Sequence, residues 1–260
     1  MQRFRLREKS LTIAGLLSDL QKLRRLLLHV NRRSRISSYL VSHDVKKLQI
    51  GSGPGPIAGW LSTDINPISK DVIYLNATKR FPFPDGVFDY ISCEHMIEHV
   101  SWNEGLFMLR ECRRVLRNGG IIRLSTPDLA TLLNIYLKDI NTKIERQYIK
   151  WITDSFVKGV SIYRPSFVVN AAFRCWGHMF LYDEEILRIA LQDAGFKNIN
   201  RVAVGKSAHA ALSGIERHGN VIENEDLNKF ETMVFEATSV THDLPDQQLN
   251  RNVADLIAAA

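Results

Sequence analysis

The sequence predicts an α/β fold built on a mostly parallel sheet with helices on both faces. Three observations carry that expectation. From Lys47 onward, short apolar stretches with strand character alternate with amphipathic helical stretches. The first strand, over residues 47–50, runs straight into Gly51-Ser52-Gly53-Pro54-Gly55. Glycines there allow positive φ and let a ligand come close to the backbone. The next strand, over 59–63, is closed by Asp64, the place where folds of this type hold a ribose diol.

Composition sets the outer bounds. The chain has 260 residues, 45% hydrophobic and 24% charged, enough for one large domain with a full core. Its formal net charge of +6 is unevenly placed: residues 1–50 carry +9 and the remainder −3. The basic character belongs to an N-terminal arm, so a nucleic-acid-coating surface is not expected. Cys93, Cys112 and Cys175 form no CxxC pair, which argues against a disulfide framework or a cysteine zinc site and suits a reducing, cytoplasmic setting. No apolar run reaches the ~18 residues of a membrane span.

Residues 1–45 read as a basic amphipathic helical arm, with Ile13, Leu16, Leu20, Leu23, Leu27 and Val30 on one face. Such a helix packs on its own domain or a sister subunit. The alternative is peripheral contact with the acidic surface of the inner membrane. The main domain spans 46–240, followed by a loose tail over 241–260. Between strands one and two only residues 51–58 remain, too few for a crossover helix. Either that helix is reduced to a turn or strand two starts later.

Further strands are expected over 72–75, 88–93, 121–125, 198–204 and 230–237. A helix opens at the capping box Ser101-Trp102-Asn103-Glu104 and is stopped by Gly119-Gly120; another covers 184–194. Residues 129–178 are aromatic and break the rhythm, as a lid inserted over the carboxyl edge of the sheet would.

The glycine turn lacks the sixth-position glycine of a dinucleotide fingerprint, since Pro56 stands there. The run from 46 to 128 instead resembles the class I S-adenosylmethionine-dependent methyltransferases. The resemblance rests on Leu48-Gln49-Ile50-Gly51-Ser52-Gly53, Asp64, Asn76-Ala77, Phe81-Pro82-Phe83-Pro84-Asp85, Glu94-His95-Met96-Ile97-Glu98-His99 and Arg110–Gly120. Gly177-His178-Met179 and the stretch to Phe196 extend it, and the match is similar to bacterial methyltransferases of surface-polysaccharide biosynthesis. It implies a Rossmann-like methyltransferase fold with S-adenosyl-L-methionine as cofactor and a small-molecule or saccharide acceptor.

It further implies that Gly51, Ser52 and Gly53 face the methionine part, Asp64 the ribose and Ile65 the adenine. Asn76 and Ala77 take the adenine edge, with Cys93 at the end of the fourth strand also among the cofactor-binding positions. Asn76 would reach the adenine amino group through its amide oxygen. Gln49 stands where many relatives carry an acid.

The resemblance places the run His95–His99 beside the transferred methyl group. A hydroxyl acceptor gains from a general base, and histidine has the pKa for it. The candidates are His95, His99 and His178, with Glu94 or Glu98 orienting an imidazole. His95-Met96-Ile97-Glu98-His99 also fits the inverted zinc-protease pattern, but directly after an apolar strand no metal site is expected. The favoured reading is O-methylation. The alternatives are N- or C-methylation of another metabolite, or a catalytically silent cofactor-binding partner protein.

Overall fold

The computed structural model describes residues 32–240. The apolar stripe of the arm and the tail after Val240 therefore lie outside the described residues. Helix α1 (Arg32–Ser42) leads into β1 (Lys47–Ile50), β2 (Leu61–Asp64), β3 (Ile73–Tyr74) and β4 (Phe88–Glu94). Then follow α2 (Trp102–Val115), β5 (Leu116–Pro127), α3 (Leu129–Leu137), α4 (Lys143–Phe156) and α5 (Pro165–Arg174). The chain continues through α6 (Glu184–Asp193), β6 (Phe196–Val202), α7 (His218–Val221), α8 (Glu225–Glu231) and β7 (Thr232–Ser239).

The seven strands form one sheet in the order β3-β2-β1-β4-β5-β7-β6, with β7 antiparallel to both neighbours. The chain moves outward from β1 to β3, then returns to β4 on the other side of β1. At such a reversal the carboxyl ends of the two strands open a crevice.

Strand register separates two kinds of face. Leu61, Leu48, Ile91, Ile122 and Ala237 form one cross-strand row, and Thr63, Ile50, Cys93, Leu124 and Phe235 another. Apart from Thr63 these rows are apolar. They pack with Met108, Leu109, Cys112 and Val115 of α2 and Leu187, Ala190 and Leu191 of α6. Burying each large aliphatic side chain there contributes about 1.5–3 kcal/mol.

Between those rows runs Ser62, Gln49, Ser92, Arg123 and Glu236, facing the other way. This buried polar row is covered by segments 51–60 and 203–217, which pack Ile57, Trp60, Leu212 and Ile215 against Ile121.

The short β1–β2 connection is thus resolved: it carries no helix, and strand two starts at Leu61 instead of residue 59. Gly59 has φ 75 and passes its carbonyl to the Tyr39 hydroxyl, a conformation no strand continues through. Gly119-Gly120 also has a different job from the expected one. Helix α2 has already ended at Val115, and β5 begins at Leu116 with a bulge between the pairs Phe88–Leu116 and Tyr90–Ile121. Gly119 supplies φ 75, and a Cβ on Gly120 would press on the Arg117 and Phe88 carbonyls at 3.0 and 3.1 Å. The glycines are needed by the bulge.

Strands β6 and β7 are offset by two residues from expectation, because Gly195 at φ 90 releases Phe196 directly into β6 and α8 occupies Phe230 and Glu231.

Two of the sequence motifs prove to be one clamp. Glu111 accepts the Phe81 N–H at 2.7 Å and pairs with Arg114 at 2.6 Å. Arg114 also donates to the carbonyls of Phe81 and Phe83 and to Asp85. Burial alone would raise the Glu111 pKa, but Arg114 and the Phe81 amide outweigh it and hold the pKa below the usual value. A depressed carboxylate contributes stability above its unfolded pKa and loses it as pH falls through the folded one. Glu111→Gln is expected to cost about 1–3 kcal/mol at neutral pH. It should also flatten the loss of stability below pH ~4.3, read by urea unfolding at a series of pH values. Parallel slopes in parent and variant would refute the assignment.

The inserted segment is a helical layer with its own core. Leu132 and Ile135 of α3, Tyr148, Ile149 and Ile152 of α4, and Val168, Ala171 and Ala172 of α5 pack together. Asp128 caps α3 through the Ala130 and Thr131 amides, and Glu145 accepts from the N–H and O–H of Thr142 at the start of α4. Leu227 of α8 joins the same core, so residues far beyond 178 belong to this layer. The Met179 and Phe180 amides donate to the Glu98 carbonyl, tying it to the turn after β4. Among the described residues no helix is long and apolar enough to cross a membrane.

Candidate active site

The crevice at the carboxyl ends of β1 and β4 holds a cavity of about 310 Å³. One wall is the glycine turn. Gly51 has φ 70 and a Cβ there would sit 2.6 Å from Met96 Cγ, so only glycine fits. Gly53, at φ 48, faces open space. Gln49 pins the turn from below: its Oε1 accepts from Ile57 N and Ser62 Oγ, and its Nε2 donates to the Gly55 carbonyl. Gln49 therefore serves as an anchor of the loop, which needs both a donor and an acceptor and which an acid could not satisfy.

Asp64 stands at the end of β2 and accepts the Gly53 N–H at 2.9 Å and the Asn66 N–H at 2.7 Å. A partly exposed, acceptor-only carboxylate at this point fits a ribose diol. Ser52 is buried, and its N–H donates to the Thr63 carbonyl.

Ile65 is 53% exposed, an apolar side chain with room for a planar ring beside it. Asn76 departs from its expected role. Its Oδ1 already accepts both the N–H and the O–H of Thr78, so the amide oxygen is committed to a local turn. Ala77 is buried in the main core beside it. Cys93 also departs: its side chain lies wholly in the apolar core, where burial pushes the thiol pKa well up. Cys93 is not among the residues that line the cavity.

The opposite wall carries the histidines. His95 leaves β4 with φ 44, a left-handed conformation uncommon outside glycine. Its Nε2 lies 2.9 Å from Thr232 Oγ1, whose own proton goes to Asn228, and its Nδ1 lies 3.3 Å from Glu98 Oε1. Burial would lower its pKa, but Glu98, Glu231 and Glu94 outweigh that and raise it. With both nitrogens placed as donors, His95 is a poor general base. It stacks on His218 with ring centroids 3.7 Å apart.

Glu94 orients none of the three histidines. Both its oxygens are taken by the backbone amides of Arg217 and His218 at the start of α7.

His99 and His178 meet edge to face at 5.1 Å. His178 Nδ1 lies 2.8 Å from the Ala172 carbonyl, which can only accept, so the proton sits on Nδ1 and the lone pair on Nε2. Burial lowers the His178 pKa and favours the neutral ring. Glu98 is fully buried; burial would raise its pKa, but His95 outweighs that and keeps it low. Residues 97–99 make a single 3-10 turn, so the helical zinc-protease pairing of His95 with His99 does not form.

Sequence reasoning missed Trp151, Arg217, His218, Val221, Ile222 and Glu231, which all line the cavity. Trp151 falls within the aromatic stretch 129–178 expected as a lid, where nothing in the sequence singles it out. The segment 217–231 carried no motif; in the structure Asn224 caps α8 by accepting the Leu227 N–H.

Residues 48–124 match the family described as a methyltransferase domain. No curated protein matches the chain. Among solved structures, the chain is similar to an S-adenosylmethionine-dependent methyltransferase from Archaeoglobus fulgidus at 18% identity, covering 83% of this chain and 94% of that one, with TM-score 0.42. A methyltransferase from Thermotoga maritima matches at 16% identity over 84% and 95%, with TM-score 0.43. Phosphoethanolamine N-methyltransferase 2 from Haemonchus contortus, bound to S-adenosyl-L-methionine, matches at 13% over 82% and 53%, with TM-score 0.41.

Proposed function

We propose that this chain, an S-adenosylmethionine-dependent methyltransferase, methylates a hydroxyl oxygen of a small saccharide-class acceptor held in the cavity. One observation carries the reading. The same cavity joins the glycine turn over 51–55 to a wall made of Trp151, Trp176 and His178. Gly51, Ser52, Gly53 and Asp64 would hold the cofactor, which supplies an electrophilic methyl group on a sulfonium centre.

The opposite wall suits a ring with one apolar face and hydroxyl edges. Trp176 is 42% exposed, is packed edge to face on Phe156 at 4.4 Å, and sits at φ 59. Strain of that kind, about 1–3 kcal/mol, persists where the surroundings dictate a side-chain position. A sugar ring can lay its C–H face on the indole while its hydroxyls turn to the histidines. That chemistry favours oxygen over nitrogen or carbon as the methylated atom and fits polysaccharide biosynthesis as the setting.

His178 and His99 stand on the acceptor side, and the lone pair fixed on His178 Nε2 is the group that activates the hydroxyl. Holding acceptor and donor in line supplies much of the rate. His178→Gln is expected to lower kcat by about 10²–10⁴-fold and to leave cofactor affinity within about threefold. Equal losses in both would mark His178 as structural.

The reading as a whole is tested by labelled-methyl transfer to a panel of sugar nucleotides and glycans, read by mass spectrometry. Methyl found only on amines or carbon, or on no acceptor, would overturn it.

A further inference from the structure

We propose that Glu98, His99 and His178 form a binding site for one divalent transition-metal ion, with its open coordination positions facing the cavity. One potential ligand atom from each of the three lies within 4.8 Å of the other two. Ligand atoms around a tetrahedral ion at about 2.1 Å stand about 3.4 Å apart. The remaining closure is within reach of small rotations of His99 and His178, which are only half-buried on the cavity wall.

Two features of these side chains point to a cation. His178 donates Nδ1–H to the Ala172 carbonyl at 2.8 Å, which turns the Nε2 lone pair outward. That backbone hydrogen bond is the arrangement that fixes the tautomer of a ligating histidine. Glu98 is a fully buried carboxylate whose Oε2 accepts from Thr126 Oγ1 at 3.0 Å. Its Oε1 makes no aligned hydrogen bond among the described residues, although His95 Nδ1 is 3.3 Å away. A carboxylate oxygen held only by one long contact keeps lone pairs that a bound cation would use.

Two imidazoles with one carboxylate select zinc or another first-row divalent ion over magnesium or calcium, which prefer all-oxygen shells. The fold brings the three together deliberately: the Met179 and Phe180 amides grip the Glu98 carbonyl and set His178 over the turn.

The use of the ion rests on the methyl-transfer reading above, while its binding does not. An acceptor hydroxyl taken as a further ligand would have its pKa lowered, as metal-bound water does, with the proton leaving to solvent. His178 would then act through the ion and not as a free base.

The test uses the full chain stripped with EDTA and titrated with cobalt(II), followed by visible absorption and equilibrium dialysis, with zinc as competitor. The expected result is one bound equivalent, displaced by zinc, with affinity reduced more than about 100-fold in His99→Ala and His178→Gln. The variant His43→Ala, at a residue just after α1 and outside the cavity lining, should bind like the parent. Circular dichroism checks that the variants are folded, and the parent stoichiometry stands even if one of them is not. Less than a tenth of an equivalent bound by the parent, or undiminished binding in both folded site variants, would overturn the site.

Methyl transfer measured on stripped and loaded protein separates the two ideas. Full transfer by protein that binds no metal removes this inference and leaves the proposed function. Metal binding with no transfer to any acceptor does the reverse.

Discussion

An Arg123→Met variant is expected to be about 3–5 kcal/mol less stable than the parent, with Tm lower by roughly 10 °C. Arg123 is 2% exposed on the polar face of the sheet. Its guanidinium meets Glu236 on the neighbouring strand and Glu216 on the covering segment, each at 2.5 Å, and donates to the Lys206 carbonyl at 2.9 Å. Removing the cation leaves two carboxylates buried without a counter-charge, Glu216 keeping only the Gly205 N–H at 3.2 Å, which is where the cost arises. The triad as a whole need not be stabilising, because desolvating three charges offsets their attraction. Arg123→Met combined with Glu216→Leu and Glu236→Leu should therefore recover most of the loss.

Chemical unfolding of the single and triple variants decides it; a single variant as stable as the parent would show that the triad holds nothing. Glu216 directly precedes the residues whose amides Glu94 receives. Losing the triad should thus also raise the apparent KM for the acceptor, measured in variants still folded at the assay temperature.

Asp64→Ala is expected to weaken S-adenosylmethionine binding by about 10–100-fold, measured by calorimetry. A hydrogen bond to a charged group contributes about 1.5–3 kcal/mol, and each 1.4 kcal/mol is tenfold in affinity. The carboxylate has two functions that the variant removes together: it presents acceptors at the end of β2, and it ties down the Gly53 amide. Asp64→Asn keeps one acceptor and should fall between the two. Affinity unchanged in Asp64→Ala would end the ribose assignment.

Much of the fold was legible because it is written in local patterns. The glycine turn after β1, the Ser101–Glu104 capping box and the apolar rows of β4 and β5 all sit where residue type and spacing place them. The failures have physical reasons as well. Gly119-Gly120 reads as a helix stop, yet it serves a bulge that exists only because Phe88 pairs with Leu116 while Tyr90 pairs with Ile121. The missing crossover helix was visible as a shortage of residues, but not what replaces it, since Leu212 and Ile215 come from the other end of the chain.

In the site the division is sharper. His95, His99 and His178 were all found by their motifs, but their motifs could not rank them. His95 is committed to Thr232, 137 residues away, and Glu94 to Arg217, 123 residues away. Neither partner leaves a trace near the motif.

The resemblance of the motifs over 46–128 implied the cofactor; by itself, the sequence determined the strand and helix alternation and the turn that only glycine can make. These depend on backbone conformation and on periodicities shorter than one element. Only the tertiary structure decided which histidine keeps a lone pair for the cavity, which carboxylate is spent on a helix start, and which is buried with one oxygen held only by a 3.3 Å contact to His95. Those outcomes follow from hydrogen bonds between segments far apart in the chain, and the burial that gives them their weight exists only once the layers have packed.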